Sequence, residues 1–199
     1  MPVIINGSGS ITGLSVGGLP DGTVDADTLA SGVGGKTLQV VSTTKKDVFS
    51  ESVSAGGTSA DITGLTVSIT PANASNKIFL IATLSLGSSV TSMTFYKGGS
   101  LLSDAIADAA NNTNDGAALR RLAFSQSGGS YDARPMVGSF NDTAGGTSAI
   151  TYSIRLSPIR SDQSNTVYIN RGNDSDEFQS LYNPIGRAIS TFTAMEIAA

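Results

Sequence analysis

The chain has 199 residues, 23 of them Gly, and a formal net charge of −4 from 16 acidic and 12 basic side chains; it has no Cys, His or Trp. Without Cys there is no disulfide, thiolate metal site or thiol nucleophile, and without His the commonest general base near neutral pH and the commonest transition-metal ligand are missing. Of the net charge, −3 sits on Asp21, Asp25 and Asp27 within residues 1–35, which hold no Lys or Arg, so neither part offers the basic footprint that a nucleic-acid partner requires.

Residues 1–35 read as an extended, Gly-rich N-terminal arm. Ile4, Ile5, Ile11 and Leu14 are apolar islands among Gly7, Gly9, Gly13, Gly17 and Gly18, and the first aromatic residue is Phe49. Such a segment buries too little to offset its ordering entropy, so it is expected to order against a partner surface, with those four side chains as its docking residues. Within it, Asp25 as N-cap and Gly32 as stop predict a single helical turn. The opening Met-Pro-Val-Ile-Ile-Asn has no basic n-region, so no signal peptide is expected. The longest apolar run, Ile78-Phe-Leu-Ile-Ala82, is far too short to cross a bilayer, so no membrane insertion is expected.

From Lys36 onward the pattern becomes one of strands. Strands are expected at residues 37–43, 61–70, 77–86, 92–97, 118–126, 134–140, 150–157, 166–170 and 189–197. Clusters of Gly, Asn, Asp and Ser separate them. Residues 61–70 alternate in polarity with a slip at Gly64, and residues 77–86 are apolar enough for the middle of a sheet. Residues 103–110 predict one or two helical turns, and the seven Phe and five Tyr are core candidates. About nine short antiparallel strands over residues 36–199 predict an all-β fold: a two-sheet, jelly-roll-like β-sandwich behind the arm.

Motifs that carry chemistry are few. Ala30-Ser-Gly-Val-Gly-Gly-Lys36-Thr37 approaches a phosphate-binding loop, but an Asp-rich segment precedes it and the β-branched Leu38-Gln-Val-Val41 follows it. A phosphate would need a helix N-terminus at that place, so the stretch reads as a linker. Gly172-Asn-Asp-Ser-Asp-Glu177 gathers three carboxylates without the spacing of a calcium loop and reads as solvated. No metal, cofactor or catalytic residue is expected. Tyr131-Asp132 and Tyr182-Asn183 place an aromatic ring beside hydrogen-bonding groups in polar loops, which suits a sugar. They are the candidate receptor contacts, with a host-surface glycan as ligand.

Ile5-Asn-Gly-Ser-Gly-Ser-Ile-Thr-Gly-Leu14 followed by Gly18-Leu-Pro-Asp-Gly-Thr-Val-Asp-Ala-Asp-Thr-Leu-Ala30 resembles the N-terminal and linker segments of bacteriophage tail-fibre and related virion proteins, especially those of marine and cyanobacterial phages. Gly35-Lys-Thr-Leu-Gln-Val-Val-Ser-Thr-Thr-Lys45, Ile62-Thr-Gly-Leu-Thr-Val-Ser-Ile-Thr-Pro71 and Ser75-Asn-Lys-Ile78 resemble the opening of the β-domain that follows in such proteins. Val167-Tyr-Ile-Asn-Arg171 and Thr193-Ala-Met-Glu-Ile-Ala198 resemble its close. The resemblance implies a non-enzymatic virion protein, a homotrimer held to other virion proteins through residues 1–35. Many such fibres hold a long shaft between arm and tip, and this sequence has none there. A second placement therefore stays open, that of a capsid decoration or cement protein. A third reading, from another class, is a small polysaccharide-degrading enzyme using two of the acidic residues.

Overall fold

The structure, a computed structural model, describes residues 4–5, 11–12, 36–87, 90–107, 122–126, 134–158, 164–172 and 188–199. The chain divides into two compact units, Met1–Lys36 and Thr37–Ala199. In the first, β1 (Ile4–Ile5) pairs antiparallel with β2 (Ile11–Thr12), with Ile5 opposite Ile11.

The described part of the second unit is all-β. Its strands are β3 (Thr37–Lys45), β4 (Phe49–Val53), β5 (Thr66–Ile69), β6 (Lys77–Leu86), β7 (Val90–Lys97), β8 (Ser100–Leu101), β9 (Ala123–Gln126), β10 (Arg134–Thr143), β11 (Ile150–Pro158), β12 (Asn165–Ile169) and β13 (Ser190–Ile197). One antiparallel sheet runs β3-β13-β6-β10, the other β5-β11-β7-β9. Lettering these eight strands B to I in chain order turns the two sheets into BIDG and CHEF, the strand orders of a jelly roll. The other three strands are additions. β12 takes the place of β13 beside the end of β6, at Ile169 opposite Leu86, and β4 pairs with β12 as β3 pairs with β13. β8 folds back on β7 through Gly98-Gly99, whose φ angles of 56° and 81° fit a two-residue hairpin with both central residues left-handed.

Burial follows the two-residue period of the strands. β6 turns Ile78, Leu80, Ala82, Leu84 and Leu86 inward, against Phe95 of β7, Tyr152, Ile154 and Leu156 of β11, and Phe192 and Ala194 of β13. The rings of Phe95 and Phe192, one from each sheet, stack with centroids 5.3 Å apart. Each fully buried side chain of this kind contributes about 1.5–3 kcal/mol before entropy is subtracted, so the core lies between the sheets.

Several expectations are corrected. The strand expected over residues 61–70 is two pieces. Ile62 N–H donates to Ile154 O along β11, a turn at residues 63–64 with Gly64 at φ 81° follows, and β5 begins only at Thr66. The turn lets both Ile62 and Leu65 reach the core, which an unbroken strand could not do with that spacing. The helical turns expected over residues 103–110 reduce to one 3-10 turn, Ser103–Ala105, with Ile106 already extended; residues 108–110 lie outside the described residues. The strands β4 and β8 were not expected. Among the aromatic core candidates Phe95, Tyr152 and Phe192 are buried, whereas Phe49, Phe79, Phe140, Tyr96 and Tyr168 are only half-buried.

The junction where β12 replaces β13 is held by one side chain. Asn170 has φ 62°, the one positive value for a residue other than Gly among the described residues. Its Nδ2 donates to Lys45 O (2.9 Å) and Asp47 O (3.0 Å), and its Oδ1 accepts from Ser190 Oγ (2.6 Å). Ser190 Oγ in turn accepts from Ser85 N–H at 3.0 Å. Replacing Asn170 by Gly keeps the backbone conformation and loses the three side-chain bonds, a cost of about 2 kcal/mol. Replacing it by Ala adds about 1 kcal/mol of left-handed strain. Denaturant midpoints should therefore fall in the order wild type, Asn170→Gly, Asn170→Ala.

Candidate functional site

The fold buries Glu196 and Lys45, and it ties these and several partly exposed charged groups down with side-chain hydrogen bonds and ion pairs. Glu196, fully buried on β13, accepts from Asn76 Nδ2 (2.6 Å), Ala72 N–H (2.7 Å) and Gln39 Nε2 (2.6 Å). Burial opposes the charge, but these donors outweigh it and hold the carboxyl below its usual range. Asp142, on β10, accepts from the Tyr152 hydroxyl of the opposite sheet at 2.7 Å and pairs with Lys97 at 2.8 Å. Burial, and then the Asp142 carboxylate, push the Tyr152 hydroxyl far up, so it stays a neutral phenol. Arg155 pairs with Asp61 at 2.6 Å and lies 4.0 Å above the Tyr96 ring. Lys45 is buried and reaches Asp47 at 2.6 Å, which lowers the pKa of that carboxyl. A general acid near neutral pH needs a raised carboxyl pKa, and Glu196 has the opposite. Each of these groups ties one strand or turn to another.

A different kind of feature covers the outside of the β3-β13-β6-β10 sheet. The register sets Val40, Met195, Phe79 and Asn141 side by side across the four strands. Ser42, Thr193, Ile81 and Ser139 form the next row, and Thr44, Thr191, Thr83 and Val137 the third. Ile197, Lys77 and Thr143 continue it at one end, beside Leu38. Along these four strands Lys77 is the one charge on that face, and its Nζ donates to Thr143 Oγ1 at 2.7 Å. The hydroxyls of Ser42 and Thr193 bond each other at 2.8 Å. Five large hydrophobic side chains are exposed among the described residues, and three of them, Leu38 (48%), Val40 (57%) and Val137 (56%), stand here. The other sheet differs. At residues 66–68, 92–96 and 151–157 its outer face carries Ser, Thr, Tyr96 and Arg155 and no aliphatic side chain. An antiparallel sheet with one solvated face ordinarily turns polar residues outward, so Val40, Met195, Phe79, Ile81 and Val137, set among the Ser and Thr of these rows, are the anomaly of this surface.

Of the expected docking residues, Ile4 and Ile5 lie in β1 and Ile11 in β2; Leu14 falls outside the described residues. The receptor candidates Tyr131, Asp132, Tyr182 and Asn183 also lie outside the described residues, as do the helical turn expected from Asp25 and most of the Ala30–Thr37 and Gly172–Glu177 motifs. Thr37 itself opens β3. Among the described residues no group of three or more His, Cys, Asp or Glu is placed to hold a metal ion, and no helix is long and apolar enough to cross a membrane. The run Ile78–Leu86 holds more apolar side chains than one face needs, so an apolar sheet face hidden by association is expected from the sequence, but only the register shows that Met195 of β13 adjoins Phe79 and Val40 on it. No protein-family model matches the chain, and no curated protein matches it in sequence.

Proposed function

We propose that the chain is a non-enzymatic structural protein of a bacteriophage particle. It is tail-fibre-like, attached through residues 1–35 and projecting its jelly roll outward as a homotrimer that contacts a host-surface glycan. The observation that carries this reading is the BIDG and CHEF strand order beside a Gly-rich N-terminal segment. Jelly rolls recur in virion and lectin domains, and that support is one of fold analogy. The commitment of Glu196, Asp142 and Arg155 to contacts within the fold favours a structural role over the polysaccharide-degrading alternative. Ile4, Ile5, Ile11 and Leu14 supply the arm with apolar side chains to bury, each contributing about 1.5–3 kcal/mol before ordering costs. Three arms on one assembly would add through effective concentration.

The test is immunogold labelling of purified particles with an antibody to this chain. Label on the tail is the expected result; label spread over the head means a decoration protein, and unlabelled particles overturn the reading. In the full-length protein, Ile4→Ser with Ile5→Ser should leave the circular dichroism spectrum unchanged and lower incorporation at least about tenfold. Release of reducing sugar from host polysaccharide would return the enzyme to consideration.

A further inference from the structure

We infer that the outer face of the β3-β13-β6-β10 sheet is where copies of this chain meet. The inference rests on the self-association proposed above, not on the phage assignment, and adds to the homotrimer a contact of another kind: identical faces apposed in pairs are related by a two-fold axis, so this face joins copies two by two. Three properties of the face select a second copy as its occupant. The first is charge: each chain carries −4, so two copies repel in general, yet on this face the strands present Lys77 as their one charge, in the end row and bonded to Thr143. Apposing two such faces brings no like charges together at the centre, whereas an uncharged face gives a charged foreign partner nothing to recognise.

The second property is polar satisfaction. Ser42 and Thr193 bond each other across the strands, so covering them leaves their hydroxyls partnered. The third is size. Four strands about 4.8 Å apart, each contributing about eight residues at about 3.3 Å, span a flat area of roughly 500 Å². Two apposed faces then cover about 1,000 Å² before side-chain relief is counted, the area a biological interface must clear and just under the about 1,200 Å² where stable specific interfaces begin. Val40, Met195 and Phe79 form the central row of the contact, with Ile81 beside them and Leu38 and Val137 towards its margins.

The absence of Cys makes the test clean, because one introduced thiol is the only one. Sedimentation velocity of the full-length protein at micromolar concentration reads association. Expected are a mass of at least two copies of the 20.2 kDa chain for the wild type and association at least about a hundredfold weaker in Leu38→Glu with Val40→Glu. Val137→Glu, on a different strand, gives an independent reading should the double variant misfold by circular dichroism. Val40→Cys should form a covalent dimer under mild oxidation, while Ser68→Cys, exposed on the other sheet, should not. A monomeric wild type overturns both the association and this interface. A wild-type oligomer that survives the Glu variants and gives no Val40→Cys dimer overturns the interface alone. A monomer in which the thiol of Val40→Cys resists a maleimide overturns it as well, because the face is then covered without a second copy.

Discussion

Gly87→Ala is expected to destabilise the protein by at least about 3 kcal/mol, near the upper end of what overpacking costs. Gly87 follows the last residue of β6, and its N–H donates to Tyr168 O at 3.2 Å. A Cβ at this position would overlap Arg171 O and lie 2.8 Å from Gly172 Cα. Those are backbone atoms, so no side-chain rotation relieves the overlap; the chain leaving β12 must move, and with it Asn170, which joins β12 to Lys45 and Ser190. Gly146→Ala is the control. No atom lies within 4 Å of a Cβ there, so its effect should stay within about 1 kcal/mol, and restriction of the unfolded chain makes stabilisation the expected sign. Urea denaturation of both variants checks the pair. Equal midpoints would show that the Arg171 crossing can yield.

Glu196→Gln is expected to cost about 3 kcal/mol at pH 7. The carboxylate accepts from Asn76, Ala72 N–H and Gln39, and a Gln there must turn an NH₂ group toward at least one donor. For a chain of this length that corresponds to a melting temperature lower by roughly 6–12 °C. The pH dependence separates this from a packing defect. The folded-state pKa lies below the ordinary 4.5. The stabilisation is therefore complete above about pH 4.5 and is lost as pH falls through the folded value. Wild-type stability should decline below about pH 4.5, and the gap to Glu196→Gln should narrow over the same range. Asp47, also lowered, contributes in the same direction but is exposed and common to both proteins. A gap that stays constant down to acid pH would mean that Glu196 does not stabilise the fold as an anion.

The sequence by itself determined the class of fold and the main strands, because those depend on local pattern. Residues 77–86 are apolar at nearly every position, and β6 spans Lys77–Leu86, with β13 and β10 on either side. β-branched runs bounded by Gly, Asn and Asp likewise announced β7, β10, β11 and β13. Residues 61–70 alternate well with a slip at Gly64 that already suggests a bulge or bend; what the local pattern does not show is that the left-handed Gly64 makes a full turn there, so that Ile62 and Leu65 share the core. β4 was invisible because the three middle residues of Phe-Ser-Glu-Ser-Val are all polar, which breaks the two-residue alternation, and its partner β12 is far away in the chain.

Only the tertiary structure decided what the polar side chains do and which apolar ones remain outside. Glu196 reads in sequence as an ordinary surface acid near the end of the last strand; it is buried because donors from the turn at residues 71–76 and from β3 converge on it. Phe79 reads as core by composition, and Ile81 and Met195 are equally apolar, but the two-residue period of β6 and β13 gives the inner face to Leu80, Ala82 and Ala194 and leaves these three outside. Hydrophobicity is a property of one residue, whereas facing inward or outward depends on register. Register is set by pairings between strands as distant as Val40 and Met195, and no local pattern encodes it.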